Sequence, residues 1–268
     1  TTFVTSNSLS IRRISRTHGG DVYEERQTGN YLSFRNTLAK NFDAIFCTTQ
    51  SGIDYLKLKV DSGFHHKFNL ARLGTSRGGD RDYKPIPRKI IVSCSFMVPV
   101  KRIHFMIEAL SMIKQEIEWI HIGGGPLENE LRELAQIKLS GSGVHYSFLG
   151  TLSSPAIIEF YQSTPVYLFM NTSSSEGIPV TMMEAQSFGI PILALDVGGV
   201  RELANEKTGV LLSSDSAPTD FSAALSQMLN IPDEHYCAMR KEALRSWNTH
   251  YNAEKNFSNF ADQIFNLN

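Results

Sequence analysis

Two carboxylates eight residues apart, Glu176 and Glu184, are the side chains of this sequence with the clearest chemical use. Glu176 lies in a polar loop that ends at Gly177, and Glu184 lies in the helix predicted to follow. The first turn of a helix exposes unpaired backbone N–H groups, which suit a phosphate group. Thr181 adds a hydroxyl there, and Glu184, about one turn further on, could accept hydrogen bonds from a ribose diol. The alternative is a capped surface helix with solvated glutamates.

The elements that must position these carboxylates are a strand, a loop and a short helix. The apolar run 166–170 predicts a buried parallel strand, and the serines 173–175 predict a polar turn. Pro179 suits the first helical turn because its missing N–H has no partner there in any case. Gly189, with Pro191 beyond it, predicts the end of the helix.

The same alternation of apolar strands and amphipathic helices runs from residue 89 to residue 212, which predicts an α/β, doubly wound parallel sheet. The predicted strands are 89–95, 118–122, 144–149, 165–170, 191–195 and 209–212. The predicted helices are 102–115, 127–139, 154–162, 179–188 and 200–205, with 220–229, 232–247 and 253–265 in the tail. Before residue 75 we expect strands at 11–17, 43–49 and 67–73, a helix over 31–42, and a helix that follows a cap at 49–51.

Residues 76–88 are polar, rich in Gly and Pro, and without periodicity, which is typical of a linker. We therefore expect a first domain at 1–75 and a nucleotide-binding domain at 89–250. The last segment, 251–268, is expected to form a helix that packs back on the first part.

Composition narrows the function classes. A formal net charge of -1 over 268 residues gives no reason to expect nucleic acid as a partner. The three cysteines lack ligand-like spacing and two lie in apolar runs, so we expect reduced thiols, no metal site and a cytoplasmic protein. No apolar run is long enough for a membrane-spanning helix, and the first residues lack the pattern of a signal peptide.

The stretch from Glu176 to Glu184, EGIPVTMME, with FGIP after it, resembles the E-x7-E motif of family 4 retaining glycosyltransferases. That family has the GT-B fold, which consists of two Rossmann-like domains. The resemblance implies that Glu176 and the backbone of Gly177 and Ile178 face the sugar of a nucleotide-sugar donor. It also implies that Glu184 binds the ribose.

Three more segments of the second domain carry the resemblance. The turn GGGPL, which contains Gly124, is similar to the family's G-x-G-P-L turn beside the nucleotide, and FLG, which contains Leu149, is similar to a segment whose backbone reads the base. Lys101 stands where the family has a lysine that faces the pyrophosphate. The usual arginine five residues earlier is Phe96 here, and Arg102 follows Lys101 directly. Without a ligand, the glycines would form a tight turn and the two cations a solvated pair.

Two loops extend the resemblance further. The sequence from His18 to Asp21, HGGD, resembles an H-G-x-D turn in the acceptor-side domain, where the histidine lies near the reacting sugar. The alternative for His18 is a structural turn. The loop that contains Gly198 and Gly199 resembles one near the donor phosphates. Residues 1–75 match only the last part of the family's first domain, so we expect upstream sequence or a partner chain to complete it.

The resemblance implies a retaining hexosyltransferase that moves a sugar from a UDP- or GDP-sugar to an acceptor hydroxyl in glycan or polysaccharide biosynthesis. The predicted catalytic residues are Glu176, Lys101 and His18; the predicted donor-binding residues are Glu184, Gly177, Ile178, Thr181, Arg102, Gly124 and Leu149. We expect no metal and no cofactor, a glycan or lipid-linked acceptor, and peripheral association with the cytoplasmic face of a membrane. Two alternatives remain: a non-catalytic nucleotide-sugar-binding subunit that needs a partner chain, and a nucleotide-sugar epimerase on the same fold.

Overall fold

The computed structural model describes residues 12–27, 29–79 and 88–266. The chain divides into two compact units between Ala71 and Arg72. Residues 72–75, predicted in the first domain, and residues 76–79, predicted as part of the linker, belong to the second unit. Most of the predicted linker, residues 80–87, lies outside the described residues, and so does the first residue of the predicted strand 11–17.

The first unit has a parallel sheet of three strands in the order β1-β2-β3. The strands are β1 (Ile14–Thr17), β2 (Ala44–Cys47) and β3 (Phe68–Leu70). The helices are α1 (Gly19–Val22), α2 (Arg35–Asn41) and α3 (Gln50–Lys59). The predicted cap of α3 is confirmed, because the Thr49 hydroxyl accepts a hydrogen bond from the Gly52 N–H at 3.0 Å.

The predicted helix over 31–42 is wrong in its first turn. Phe34 has a left-handed backbone (φ +63°), which a right-handed helix cannot contain, so α2 begins only at Arg35. The Arg35 guanidinium donates to the Val22 carbonyl at 2.6 Å and thereby ties the start of α2 to the core. Tyr31 and Phe34, two of the apolar residues whose spacing predicted the helix, are 69% and 71% exposed.

The second unit contains a parallel sheet of six strands in the order β6-β5-β4-β7-β8-β9, which confirms the predicted doubly wound sheet. The strands are β4 (Lys89–Cys94), β5 (Ile117–Ile122), β6 (Val144–Phe148), β7 (Val166–Asn171), β8 (Ile192–Asp196) and β9 (Gly209–Ser213). The helices are α4 (Ile103–Ser111), α5 (Glu128–Leu139), α6 (Ser154–Ser163), α7 (Val180–Gln186), α8 (Pro218–Leu229), α9 (Asp233–His250) and α10 (Ala253–Phe265). Buried apolar clusters pack on both faces of this sheet, one around Trp119 and Leu168 and the other around Phe169 and Trp247.

The predicted helix 200–205 is also wrong, because the chain makes only a short 3-10 turn at Val200–Glu202. Side chains bind the backbone beyond that turn. The Thr208 hydroxyl accepts a hydrogen bond from the Asn205 N–H at 3.1 Å. The side-chain oxygen of Asn205 accepts one from the Lys207 N–H at 2.9 Å. These local bonds replace the helical ones.

The strand order reverses between β4 and β7. From β4 the chain continues to β5 and β6 on one side, whereas β7 leads to β8 and β9 on the other. In open parallel sheets, the crevice at the carboxyl ends of the strands beside such a reversal is where ligands bind. The loops that follow β4 and β7 are therefore the parts of this unit where a site is expected.

A buried histidine links the strands that carry these loops. Trp119 donates its indole N–H to the Ser93 hydroxyl at 2.9 Å, so the Ser93 proton is directed to His121 Nδ1 at 2.8 Å. His121 Nε2 then carries the hydrogen that is donated to the Ser95 carbonyl at 3.2 Å. Burial lowers the pKa of His121 from 6.5 to about 4, against the smaller opposite effects of the Ser95 carbonyl and Glu128.

This shift predicts a loss of stability in acid. The unfolded chain binds a proton at His121 below pH 6.5, whereas the folded chain binds one only near pH 4. The contribution of neutral His121 to the free energy of unfolding is therefore complete above pH 6.5 and is lost as the pH falls to 4. The loss amounts to about 3 kcal/mol. Urea unfolding of the wild type and of His121→Gln between pH 7 and pH 4 measures it. We expect the free energy of unfolding to depend less on pH in the variant than in the wild type. An equal dependence on pH in both proteins would contradict the lowered pKa of His121.

Candidate active site

Two loops are joined by hydrogen bonds at the point where the strand order reverses. The Thr172 hydroxyl, just after β7, is 3.1 Å from both the Lys101 and the Arg102 carbonyls, which follow β4. The Ser174 N–H donates to the Val100 carbonyl at 2.8 Å. These bonds fix the loop that carries Lys101 against the loop that carries Glu176.

Glu176 and Lys101 form an ion pair within this pair of loops. Lys101 Nζ donates to Glu176 Oε1 at 2.5 Å, and the Ser173 hydroxyl donates to the same oxygen at 2.6 Å. The Asn171 amide nitrogen lies 3.4 Å from it. Glu176 is only 5% exposed. The structure thus brings together two predicted catalytic residues and balances the charge of a buried carboxylate with a lysine.

Glu184 lies on α7, eight residues after Glu176, and is 8% exposed. Within the described part of the chain, its carboxylate makes no hydrogen bond and no ion pair. Burial raises its pKa. The pKa of the nearby Cys94 thiol is raised to about 12, mainly by burial of the thiol and secondly by the charge of Glu184. A buried carboxylate without donors is costly, and such groups are found where a ligand supplies the donors.

The residues between the two glutamates lie where the sequence predicted, with one correction. Pro179 is the residue before the helix, and α7 begins at Val180. Gly177 and Thr181 are half-buried, and the Ile178 side chain is part of the apolar core. Only the Ile178 backbone is therefore left for a ligand.

A third loop, after β8, packs against the backbone of Glu176. A methyl group added to Gly198 would lie 1.8 Å from the Glu176 carbonyl oxygen, and Gly198 has a φ of +54°. The Gly199 N–H donates to the Gly177 carbonyl at 2.8 Å. The β8 loop therefore helps to hold the main chain at Glu176 in place.

This contact predicts that Gly198→Ala is more destabilising than the same change at Gly141. Gly141 has a similar left-handed φ, +76°, but nothing lies within 4 Å of an added methyl group. Both variants have strained backbones, and Gly198→Ala adds a steric clash of about 1–3 kcal/mol. Thermal unfolding of the two variants measures the difference, and equal midpoints would show that the contact with Glu176 does not exist.

The glycine turn after β5 packs against the chain's own backbone. Gly123 and Gly125 have φ values of +137° and +151°, and added methyl groups would clash with the Ser95 and Met97 carbonyls. The Gly124 carbonyl accepts from the Met97 N–H at 2.7 Å. Two of the three glycines are therefore needed for this packing whether or not a nucleotide binds beside Gly124.

Leu149, the predicted base-reading residue, is exposed at the end of β6. Its N–H donates to the His121 carbonyl at 3.0 Å. Of its two backbone groups, the carbonyl is thus the one that could contact a base. A carbonyl accepts only, so it would select a donor on the base edge.

Arg102 and Phe96 differ from Lys101 in their surroundings. Arg102 has a left-handed backbone (φ +49°), and its guanidinium carbon lies 4.4 Å from the centre of the buried Phe105 ring. Phe96, which occupies the usual arginine position, is 58% exposed. Lys101 is thus the predicted cation that this structure places at the paired carboxylate.

His18 belongs to the first unit, where it follows β1 and precedes α1. Its N–H donates to the Asp21 carboxylate at 3.0 Å, so His18 and Asp21 form the predicted turn. The side chain is exposed. A catalytic role for His18 remains a prediction.

Sequence reasoning missed three polar groups of the site: Asn171 and Ser173, which bind Glu176, and Thr172, which binds the loop that carries Lys101. Ser173 was interpreted only as part of a polar turn, and Asn171 and Thr172 were given no role. One signal was present, since all three follow directly on an apolar strand whose carboxyl end faces the predicted crevice.

Within residues 12–27, 29–79 and 88–266, no three His, Cys, Asp or Glu side chains cluster in a way that could hold a metal ion. In the same ranges, no helix combines the length and the apolar character needed to cross a membrane.

Known proteins of similar sequence and fold are glycosyltransferases. A GDP-mannose-dependent alpha-mannosyltransferase of Mycolicibacterium smegmatis is 26% identical over 169 residues, which are 62% of this chain and 42% of that protein. HepE of Anabaena, solved with UDP and glucose, matches 95% of this chain and 72% of its own with a TM-score of 0.79 and 15% identity. TarM of S. aureus, solved with fondaparinux, alpha-GlcNAc-glycerol and UDP, matches 96% of this chain and 51% of its own with a TM-score of 0.77 and 16% identity.

These similarities settle the fold and the family. The parallel sheets and the solved neighbours show a Rossmann-like, GT-B type fold. The chain spans about half the length of the curated relatives it matches, 54% and 60% for two others. The family model of the group 1 glycosyl transferases matches residues 81–246, which include both glutamates and Lys101. The chain therefore belongs to the group 1 glycosyl transferases.

Proposed function

We propose that this chain binds a nucleotide-sugar and transfers its sugar to an acceptor hydroxyl with retention of configuration, as family 4 enzymes do. The observation that carries the proposal is Glu184, a buried carboxylate without donors beside the point where the strand order reverses. A ribose diol would supply two donors to it. The ion pair of Glu176 and Lys101 joins the loops that follow β7 and β4, the two strands at this reversal, where the sugar and the diphosphate of such a donor would extend.

The predicted residues of the second unit then have roles in donor binding. Lys101 stabilises the leaving diphosphate, and Arg102 provides a second cation when it moves away from Phe105. Glu176, with the backbone of Gly177 and Ile178, orients the sugar.

The remaining contacts hold the nucleotide and the acceptor. Thr181 offers its hydroxyl to a phosphate, and Gly124 and the Leu149 carbonyl lie beside the base. His18 serves the acceptor side.

The chemistry is a same-face substitution at the anomeric carbon. The bond from that carbon to the diphosphate oxygen breaks, the acceptor oxygen forms the new glycosidic bond on the same face, and the diphosphate takes the acceptor proton. In this scheme Lys101 and Arg102 provide the positive charge, so the reaction requires neither a divalent metal nor a cofactor. The two-carboxylate chemistry of glycoside hydrolases fits less well, since Glu184 is better placed for ribose binding.

The ligands of the relatives leave the nucleotide base open. HepE and TarM were solved with UDP, whereas the mycobacterial relative depends on GDP-mannose. We extend the proposal to a UDP- or GDP-hexose as donor and to a glycan or lipid-linked acceptor in polysaccharide biosynthesis. The same proposal includes peripheral binding at the cytoplasmic face of a membrane. It also includes completion of the first unit by further sequence or by a partner chain.

A donor-cleavage assay tests the proposal. The purified chain is incubated with UDP-glucose, UDP-N-acetylglucosamine or GDP-mannose, with and without EDTA, and nucleoside diphosphate release is measured. We expect release from one donor, unchanged by EDTA. Binding without release would favour the non-catalytic subunit that needs a partner chain. Conversion of the bound sugar nucleotide to its epimer, without release, would favour the epimerase.

A further inference from the structure

The hydroxyl of Ser173 is directed at the carboxylate that is proposed to face the sugar. We propose that Ser173 is a positioning residue that keeps Glu176 in place when Lys101 turns from Glu176 to the donor diphosphate. This inference rests on the proposed function and deepens it, because it assigns a role to a residue that neither the sequence motif nor the family resemblance identified.

Both the side chain and the backbone of Ser173 are hydrogen-bonded within the loop. It is 1% exposed, and its hydroxyl donates to Glu176 Oε1 at 2.6 Å. Its N–H donates to the Asn171 side-chain oxygen at 3.0 Å, and the Asn171 amide nitrogen is 3.4 Å from the same Oε1. Ser173 and Asn171 thus form a rigid cradle around one oxygen of Glu176.

All three donors converge on Oε1, and none of the described residues donates to Oε2, so we assign Oε2 to a ligand. Hydrogen bonds to a charged oxygen are directional and about twice as strong as neutral ones. They therefore fix the rotation of the carboxylate. The plane of Glu176, and with it the direction in which Oε2 presents its lone pairs, is set by Ser173 and Asn171 as much as by Lys101.

Lys101 cannot keep this contact unchanged when a diphosphate binds. An ammonium group has three donors, and a doubly charged diphosphate competes with Glu176 for them. As the lysine moves toward the phosphate, Oε1 loses its closest cationic donor. The Ser173 hydroxyl is buried and already bonded to Oε1, and it carries no net charge, so a phosphate competes for it less strongly than for the Lys101 ammonium group. Its bond to Oε1 strengthens as the carboxylate becomes less neutralised.

Ser174 offers a matched control in the same loop. Its side chain is exposed, and its hydroxyl lies 3.3 Å from the Val100 carbonyl and not at Glu176. Removal of either hydroxyl leaves the Ser174 N–H bond to Val100, so the two loops stay joined in both variants.

Ser173→Ala, Ser174→Ala and Ser173→Thr would be titrated calorimetrically with UDP and GDP and with UDP-glucose, UDP-N-acetylglucosamine and GDP-mannose. The readout is the ratio of the dissociation constant of the best-bound sugar nucleotide to that of its nucleoside diphosphate. We expect Ser173→Ala to raise this ratio roughly tenfold, the value of one hydrogen bond to a charged group, with nucleoside diphosphate affinity unchanged. Ser174→Ala should match the wild type, and Ser173→Thr, which keeps the hydroxyl, should restore part of the ratio.

An unchanged ratio in Ser173→Ala would overturn the inference and leave the proposed function intact. Loss of nucleoside diphosphate binding in Ser173→Ala would also overturn it, because the serine would then support the whole site and not the sugar end. A wild-type chain that binds none of these nucleotides would instead overturn the proposed function, and the inference with it. Where a donor is cleaved, kcat should fall in Ser173→Ala while the inhibition constant of the nucleoside diphosphate stays constant.

Discussion

Glu184→Gln is expected to unfold at a higher temperature than the wild type and to bind nucleotide at least about tenfold more weakly. Burial raises the pKa of Glu184, so the folded state holds the carboxyl proton more tightly than the unfolded state does. The contribution of protonated Glu184 to the free energy of unfolding is complete in acid, below pH 4.5. It is lost as the pH rises through the pKa that Glu184 has in the folded state. Above the folded pKa the wild type therefore carries a charge that burial disfavours, and the amide removes that charge.

The expected gain in stability is about 1 kcal/mol at pH 7, and it should shrink as the pH falls toward 4.5. Thermal unfolding with and without nucleotide measures both effects, because a ligand that binds the folded state raises the wild-type midpoint more than that of the weaker-binding variant. Glu133→Gln, at an exposed position of α5, is the control and should change neither quantity. A destabilised Glu184→Gln that still binds nucleotide would contradict the assignment of Glu184 to the ribose.

Lys101→Met is expected to lower donor cleavage by about 100- to 1000-fold, the usual cost of removing one group that stabilises developing charge. It also leaves the Glu176 carboxylate without its lysine, so the variant should lose about 1–3 kcal/mol of stability. Initial rates and urea unfolding measure these effects. Lys138→Ala, on the exposed face of α5, is the control for a general change in charge.

The double variant Lys101→Met/Glu176→Gln separates the two effects of the lysine. Replacing both partners removes the unpaired buried charge, so most of the stability should return while cleavage stays low. A double variant that regains cleavage would show that Lys101 serves only to neutralise Glu176. Full cleavage in Lys101→Met would contradict its role at the diphosphate.

Much of the fold of the second unit could be predicted because its signals are local. Apolar runs of strand length, separated by helical segments, identified all six strands, and the glycine and proline pattern identified the ends of α7. Phe34 and Val200–Glu202 show the limit. A left-handed residue delayed the start of the first helix, and side-chain bonds to the backbone replaced most of the second, although the sequence pattern predicted longer helices in both places.

The candidate site shows the same division. Glu176, Glu184 and Lys101 could be identified from motif and spacing, and their chemical types indicated donor binding. The ion pair of Lys101 with Glu176, between residues 75 positions apart, depends on which strands lie next to each other at the reversal of the sheet order. The same is true of the contact of Gly198 with the Glu176 carbonyl. Such contacts arise from the topology, which no local pattern encodes.

The most direct test of the central claim is calorimetric titration of this chain with UDP and with GDP, repeated with Glu184→Ala. We predict saturable binding of one of the two nucleotides and its loss in the variant, in samples shown by circular dichroism to be folded. Binding of that nucleotide would also select the donors for cleavage assays. No binding of either nucleotide by the folded wild type, or equal binding by Glu184→Ala, would contradict the assignment of this crevice to a nucleotide-sugar.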